Sequence, residues 1–140
     1  MILHALLHMA EHDGPVTSDQ ISGWLGTNPV VVRRTMGFLR NAGIVSSVRG
    51  PSGGWEITAD LNSVTLRDLH LALGKPTLFA IGLRSDAPEC LVEQAVNAAL
   101  SDTFEEAEAL VLDRLQAVSL ATLAQDFSRR HAAHRPNQKE

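Results

Sequence analysis

The chain has 140 residues, 44% of them apolar, with 12 Lys+Arg against 16 Asp+Glu. That apolar share excludes a disordered chain, and the length suits one cored domain with an assembly element. A single cysteine excludes an internal disulfide and a cysteine-based structural zinc site within one chain, and no stretch approaches the ~20 apolar residues of a bilayer span.

The start, Met1 to Ala10, is apolar but has neither a basic leader nor a small-residue cleavage site. It is therefore expected to belong to the fold and not to a signal peptide, in a soluble cytoplasmic protein with no membrane partner. Ile2, Leu3, Leu6, Leu7 and Ala10 recur at helical spacing, which predicts a helix over 2–11 that Asp13-Gly14-Pro15 stops. Ser18 is the expected N-cap of a second, short helix carrying Ile21, Trp24 and Leu25. After the turn Gly26-Thr27-Asn28, Asn28 can cap a third helix whose first position suits Pro29. That helix is expected over 29–41, burying Val32, Met36 and Leu39, with Ala42-Gly43 ending it. Two strand-like runs, Ile44 to Val48 and Trp55 to Thr58, flank the Gly/Pro-rich Arg49 to Gly54 and predict a hairpin.

Two helices joined by a brief turn and followed by a hairpin make a winged helix-turn-helix. Charge agrees with that reading. Between Asp19 and Glu56 there is no acidic residue, but there are four arginines: Arg33, Arg34, Arg40 and Arg49. A local basic surface on an acidic chain is what a duplex phosphate backbone requires. Arg33 and Arg34, with Thr27, Asn28, Pro29 and Val30, are expected at the major groove. Arg49, Gly50, Ser52 and Gly53 are expected at the minor groove and backbone, where an arginine suits the negative potential and glycine lets amides approach phosphates. Trp24 and Trp55 are expected as core and wing-anchoring residues.

Thr65 is expected to cap a short helix carrying Leu66, Leu69, His70 and Ala72 and ending at Gly74-Lys75-Pro76. Thr77 to Pro88 has no clear period, and its Phe79 to Leu83 run reads as a buried connector or part of a ligand pocket. Two further helices are expected at 91–100 and 103–118, the second apolar on more than one face. A broad apolar arc needs a second partner, most economically another copy of the chain. A last helix is expected over 119–131, followed by a polar tail. From Asp86 to Asp113 there are eight acids and no base, which suits assembly or sensing or simply a solvated face. The expected organisation is a winged domain over 1–74, a connector over 75–90, a helical dimerisation region over 91–131 and a tail over 132–140.

The run from Gly43 through Arg49-Gly50-Pro51-Ser52-Gly53-Gly54 to Trp55 resembles the wing of the bacterial Rrf-two family of transcription regulators. Val64 to Leu69 and Val118 to Leu123 also match that family's pattern, so the resemblance covers roughly 2–123. It implies a mainly α fold with a small β-hairpin, a long C-terminal dimerisation helix and a homodimeric repressor on a palindromic double-stranded DNA operator. It also places Arg33 and Arg34 on the base-reading helix and Arg49 at the minor-groove position of the wing. Family members that hold an iron–sulfur cluster use three cysteines after the winged domain, whereas this chain has Cys90 alone. It therefore resembles the cluster-free branch, and no cofactor is expected. Its N-terminus is also shorter than is usual for the family.

Other readings compete. His4, His8 and His12 share a helix face and could ligate a metal, but no cysteine or acid besides Glu11 completes a set, so no metal is expected. They are expected on the surface or against a second copy. Cys90 reads either as a half-buried small hydrophobe or as a redox sensor, and Asp86, Glu89 and Glu93 are expected to raise its pKa. A small-molecule or oxidant effector stays open. No phosphate loop, nucleophile elbow or metalloprotease motif is present, so no enzyme is expected. The rival of a different class is a winged-helix module that binds acidic protein surfaces.

Overall fold

Turn chemistry separates the helices and apolar spacing turns them inward. The structure, a computed structural model, describes residues 2–78 and 90–134. Helices α1 (Ile2–Ala10), α2 (Ser18–Leu25) and α3 (Pro29–Asn41) lead into strands β1 (Val45–Val48) and β2 (Gly54–Ile57). Helices α4 (Leu66–Ala72), α5 (Leu91–Gln116) and α6 (Leu120–His134) follow. This is the mainly helical winged fold with one antiparallel hairpin that the sequence led us to expect.

The cap of α2 differs from expectation. Thr17, not Ser18, is the N-cap. Its Oγ1 accepts from the Gln20 N–H at 3.2 Å while Gln20 Oε1 accepts from the Thr17 N–H at 2.9 Å. The reciprocal pair satisfies two amides that a helix start otherwise leaves orphaned. Ser18 serves the wing instead, because its Oγ accepts from the Trp55 indole N–H at 3.0 Å. At the other end Gly26 closes α2 in the left-handed conformation, φ 59°, which glycine adopts without a Cβ clash. The tight reversal it permits delivers Asn28, whose Oδ1 accepts from the Val30 N–H at 2.7 Å, and Pro29 opens α3.

Val32, Met36 and Leu39 face inward from α3 and share one core with Leu6, Val16, Ile21 and Leu120. Burying each such side chain contributes about 1.5–3 kcal/mol, so α3 is firmly seated by its inner face. The hairpin pairs Val45 with Ile57 and Val48 with Gly54. A short bridge extends it, with Val16 and Trp55 exchanging both backbone hydrogen bonds at 2.9 and 2.8 Å. The wing is thereby tied to the segment that leads into α2.

The two later segments carrying the family resemblance meet each other. Leu66 N–H donates to the Val118 carbonyl at 3.0 Å, and Leu120 N–H donates to the Val64 carbonyl at 2.8 Å. This bridge returns the chain to the winged core after α5 and buries Leu120 in it. Thr65 caps α4 as expected, in a capping box with Asp68.

Beyond this point the expectations need correction. The two helices expected at 91–100 and 103–118 are one continuous helix of 26 residues, none of them buried. Ser101 and Asp102 do not break it, because neither residue forbids helical geometry. His4 and His12 are exposed as expected, but His8 is half-buried. His8 lies 5.3 Å from Trp24 and 5.0 Å from Phe127 of α6, ring centre to ring centre, and Glu11 accepts from Ser128 and pairs with His131 at 3.2 Å. Trp24 is accordingly a half-buried neighbour of His8 and His12, not a full core residue. Burial and the adjacent His4 hold His8 below its ordinary pKa. Among the described residues, no group of three ligand-type side chains could hold a metal, and no helix is long and apolar enough to cross a membrane. The Phe79 to Leu83 run and the end of the polar tail lie outside the described residues.

Candidate nucleic-acid interface

With its inner face committed to the core, α3 presents its other side to solvent. Val30 is 62% exposed, and Arg33 and Arg34 are exposed as well. No ion pair among the described residues engages Arg33, Arg34, Arg40 or Arg49. Among the described residues their charge is therefore not neutralised, which distinguishes them from Arg129 and Arg130, both paired with Asp126. At the start of α3, Thr27 is half-buried and donates its N–H to the Ser22 carbonyl at 3.1 Å. The Asn28 side-chain oxygen is occupied as the cap, so that residue orders the helix start and only its amide donors remain for an external ligand.

The wing tip is equally specific. Arg49 is exposed beyond β1, Gly50 has φ 112°, and the Gly53 N–H closes the loop onto the Gly50 carbonyl at 2.9 Å. Gly53 is glycine for a reason of space: a Cβ there would collide with the Val48 carbonyl oxygen. Gly54 is similarly confined at the root, where a Cβ would sit 2.5 Å from the Val16 carbonyl oxygen. Trp55, 9% exposed, anchors the root between core and α2.

The sequence reading counted Arg40 in the basic window but placed neither it nor Asn41 among the contact residues. Arg40 and Asn41 are also exposed, and with Arg33 and Arg34 they stand three and four residues either side of Gly37. That spacing was available in the sequence, but only the knowledge of which face is buried gives it meaning.

Cys90 departs from expectation in two respects. It is exposed, not half-buried, and it occupies the N-cap of α5. Its Sγ makes no cap hydrogen bond of good geometry, but the backbone amides of Glu93 and Val92 hold the thiol below its ordinary pKa. The shift runs opposite to the one expected from neighbouring acids, because the amides of a helix start favour a thiolate.

A capped helix-turn-helix, an uncompensated arginine surface and a glycine-tipped hairpin define a winged-helix protein of the regulator type. Comparison with known proteins agrees. The family model for Rrf2, described as an iron-dependent transcriptional regulator, matches residues 1–126. YwnA of Bacillus subtilis, named as an HTH-type transcriptional regulator, is 31% identical over 116 residues, covering 82% of this chain and 86% of its own. The HTH-type transcriptional regulator IscR of Photobacterium profundum is 39% identical over 64 residues, which span 44% of this chain and 37% of that relative. A Lactobacillus plantarum protein described as a transcriptional regulator shares the fold, with TM-score 0.73 at 23% identity over 98% of this chain and 93% of that one. The chain belongs to the Rrf2 family of transcriptional regulators.

The family description names iron, and the residues here do not fit a cysteine-ligated cluster. Thiolates supply most bonds in such centres, and Cys90 is the only thiol in the chain. Among the described residues no other donor set gathers in its place.

Proposed function

We propose that this protein is a homodimeric, cluster-free repressor that binds a palindromic operator in the cytoplasm. Helix α3 enters the major groove with Arg33 and Arg34 toward base edges and Thr27, Asn28, Pro29 and Val30 at the groove entrance. The wing lays Arg49 and the Gly50 to Gly53 loop, with Ser52, against the minor groove and adjoining backbone. The observation that carries this reading is the set of exposed arginines on α3 and the wing that lack a carboxylate partner among the described residues. Duplex DNA supplies the missing anions, and an arginine fork can also read guanine in the major groove.

The test separates two kinds of arginine. Arg33→Ala is expected to cost ~1–3 kcal/mol on the best site and to relax preference at one base position. Arg49→Ala is expected to weaken all sequences together and to lower the slope of log affinity against log salt by about 1. Fluorescence anisotropy on duplexes enriched from a random library measures both. Binding that ignores salt and sequence would instead favour an acidic protein partner.

A second reading adds a thiol response, because Cys90 is exposed and its pKa is lowered by helix amides. Peroxide is then expected to change DNA affinity of the wild type but not of Cys90→Ser. Equal behaviour of the two proteins removes this reading.

A further inference from the structure

Gly37 lies in the interior of α3, where a glycine weakens a helix relative to alanine. Neither backbone nor packing requires it. Its φ is not positive, and a Cβ built there would meet nothing within 4 Å. The residues that surround a helical position are those three and four places away, and here they are Arg33, Arg34, Arg40 and Asn41, all exposed. Val32, Met36 and Leu39 occupy the opposite, buried face. The result is a bare patch of helix backbone framed by three guanidinium groups and one carboxamide. None of the three arginines has an ion-pair partner among the described residues.

We propose that this patch seats one backbone phosphate of the bound DNA, with Arg40 as its charge partner and the missing Cβ setting how closely the sugar–phosphate strand approaches α3. The proposal rests on the DNA-binding reading above and adds Gly37, Arg40 and Asn41 to it. Recognition helices present their N-terminal residues to base edges, so the wall of the groove falls against positions a turn or more further on. Gly37 is one turn beyond Arg33. A guanidinium fork matches a phosphate in geometry as well as charge, and the Asn41 amide can donate to the same strand. A side chain at position 37 would hold that strand away by its own thickness and loosen these contacts.

The experiment compares Gly37→Ala, Gly37→Leu and Arg40→Ala with the wild type, on a duplex enriched from a random library by the wild type and on an unrelated duplex. Thermal melting of the free proteins is recorded alongside. Both Gly37 variants should melt about 2–4 °C higher, since alanine and leucine favour a helix over glycine. Both should bind the two duplexes more weakly, leucine by roughly tenfold and alanine by less. Greater stability with weaker binding cannot arise from misfolding. Arg40→Ala should weaken both duplexes alike and lower the salt slope by about 1. Wild-type affinity in Gly37→Leu, or an unchanged salt slope in Arg40→Ala, overturns the seat while leaving DNA binding in place. If the wild type enriches no duplex, the seat and the broader reading fall together.

Discussion

Replacing Val96 and Leu100 of α5 together with glutamate is expected to convert a dimer to a monomer and to abolish tight operator binding. The helix runs 26 residues without a buried position, yet Val92 is 71% exposed, Val96 49%, Leu100 41% and Leu110 58%. Their spacing puts all four on one face, and apolar side chains in that number do not stand in water without a partner on a stable helix. In a two-fold dimer each substituted position counts twice. Losing about 1.5–3 kcal/mol of burial at each of four side chains removes at least ~6 kcal/mol, or about four orders of magnitude in the dimer dissociation constant. Desolvating the introduced carboxylates adds to that. Sedimentation equilibrium measures the change, and circular dichroism checks that the winged core remains folded. A wild type that is itself monomeric at micromolar concentration would sink the dimer reading.

Gly54→Val is expected to damage the wing severely at its root. The new Cβ would lie 2.5 Å from the Val16 carbonyl oxygen and 2.6 Å from its carbon. Both are backbone atoms, so the strand itself must move. The movement breaks the paired hydrogen bonds between Val16 and Trp55 and draws the indole away from Ser18. Leaving buried groups of that kind unsatisfied costs about 1–3 kcal/mol each, so a loss of roughly 3–4 kcal/mol is expected. Urea melting followed by tryptophan fluorescence reports it directly. DNA affinity should fall further than stability alone explains, because the wing tip is displaced with its root. A variant that melts like the wild type would mean that the Val16 segment is free to retreat.

Much of this arrangement was legible in the residues. Asn28-Pro29 announces a helix start because one side chain caps and the other needs no N–H, and α3 begins there. Val32, Met36 and Leu39 recur at the period that turns one face inward, and they are buried. Other features were not legible for identifiable reasons. Thr17 and Ser18 are both competent caps, and the choice depends on Trp55, 37 residues away, donating a hydrogen bond to one of them. Gly53 and Gly54 read as part of the Gly/Pro-rich hairpin loop, whereas their lack of a Cβ answers to carbonyl oxygens that local pattern does not reveal. The acids near Cys90 in sequence pointed to a raised pKa, but backbone amides of Glu93 and Val92 at the helix start lower it.

Apart from the continuity of α5, which segments are helix or strand, which face of the winged-domain helices is apolar, and where positive charge gathers follow from the order of the residues, since local backbone chemistry and side-chain spacing govern them. Three-dimensional packing was needed to establish that Val64 to Leu66 bonds to Val118 to Leu120, that His8 of α1 and Glu11 just beyond it meet α6, and that α5 keeps its apolar face open. Those outcomes depend on contacts between residues far apart in the chain, whose energies no local pattern encodes.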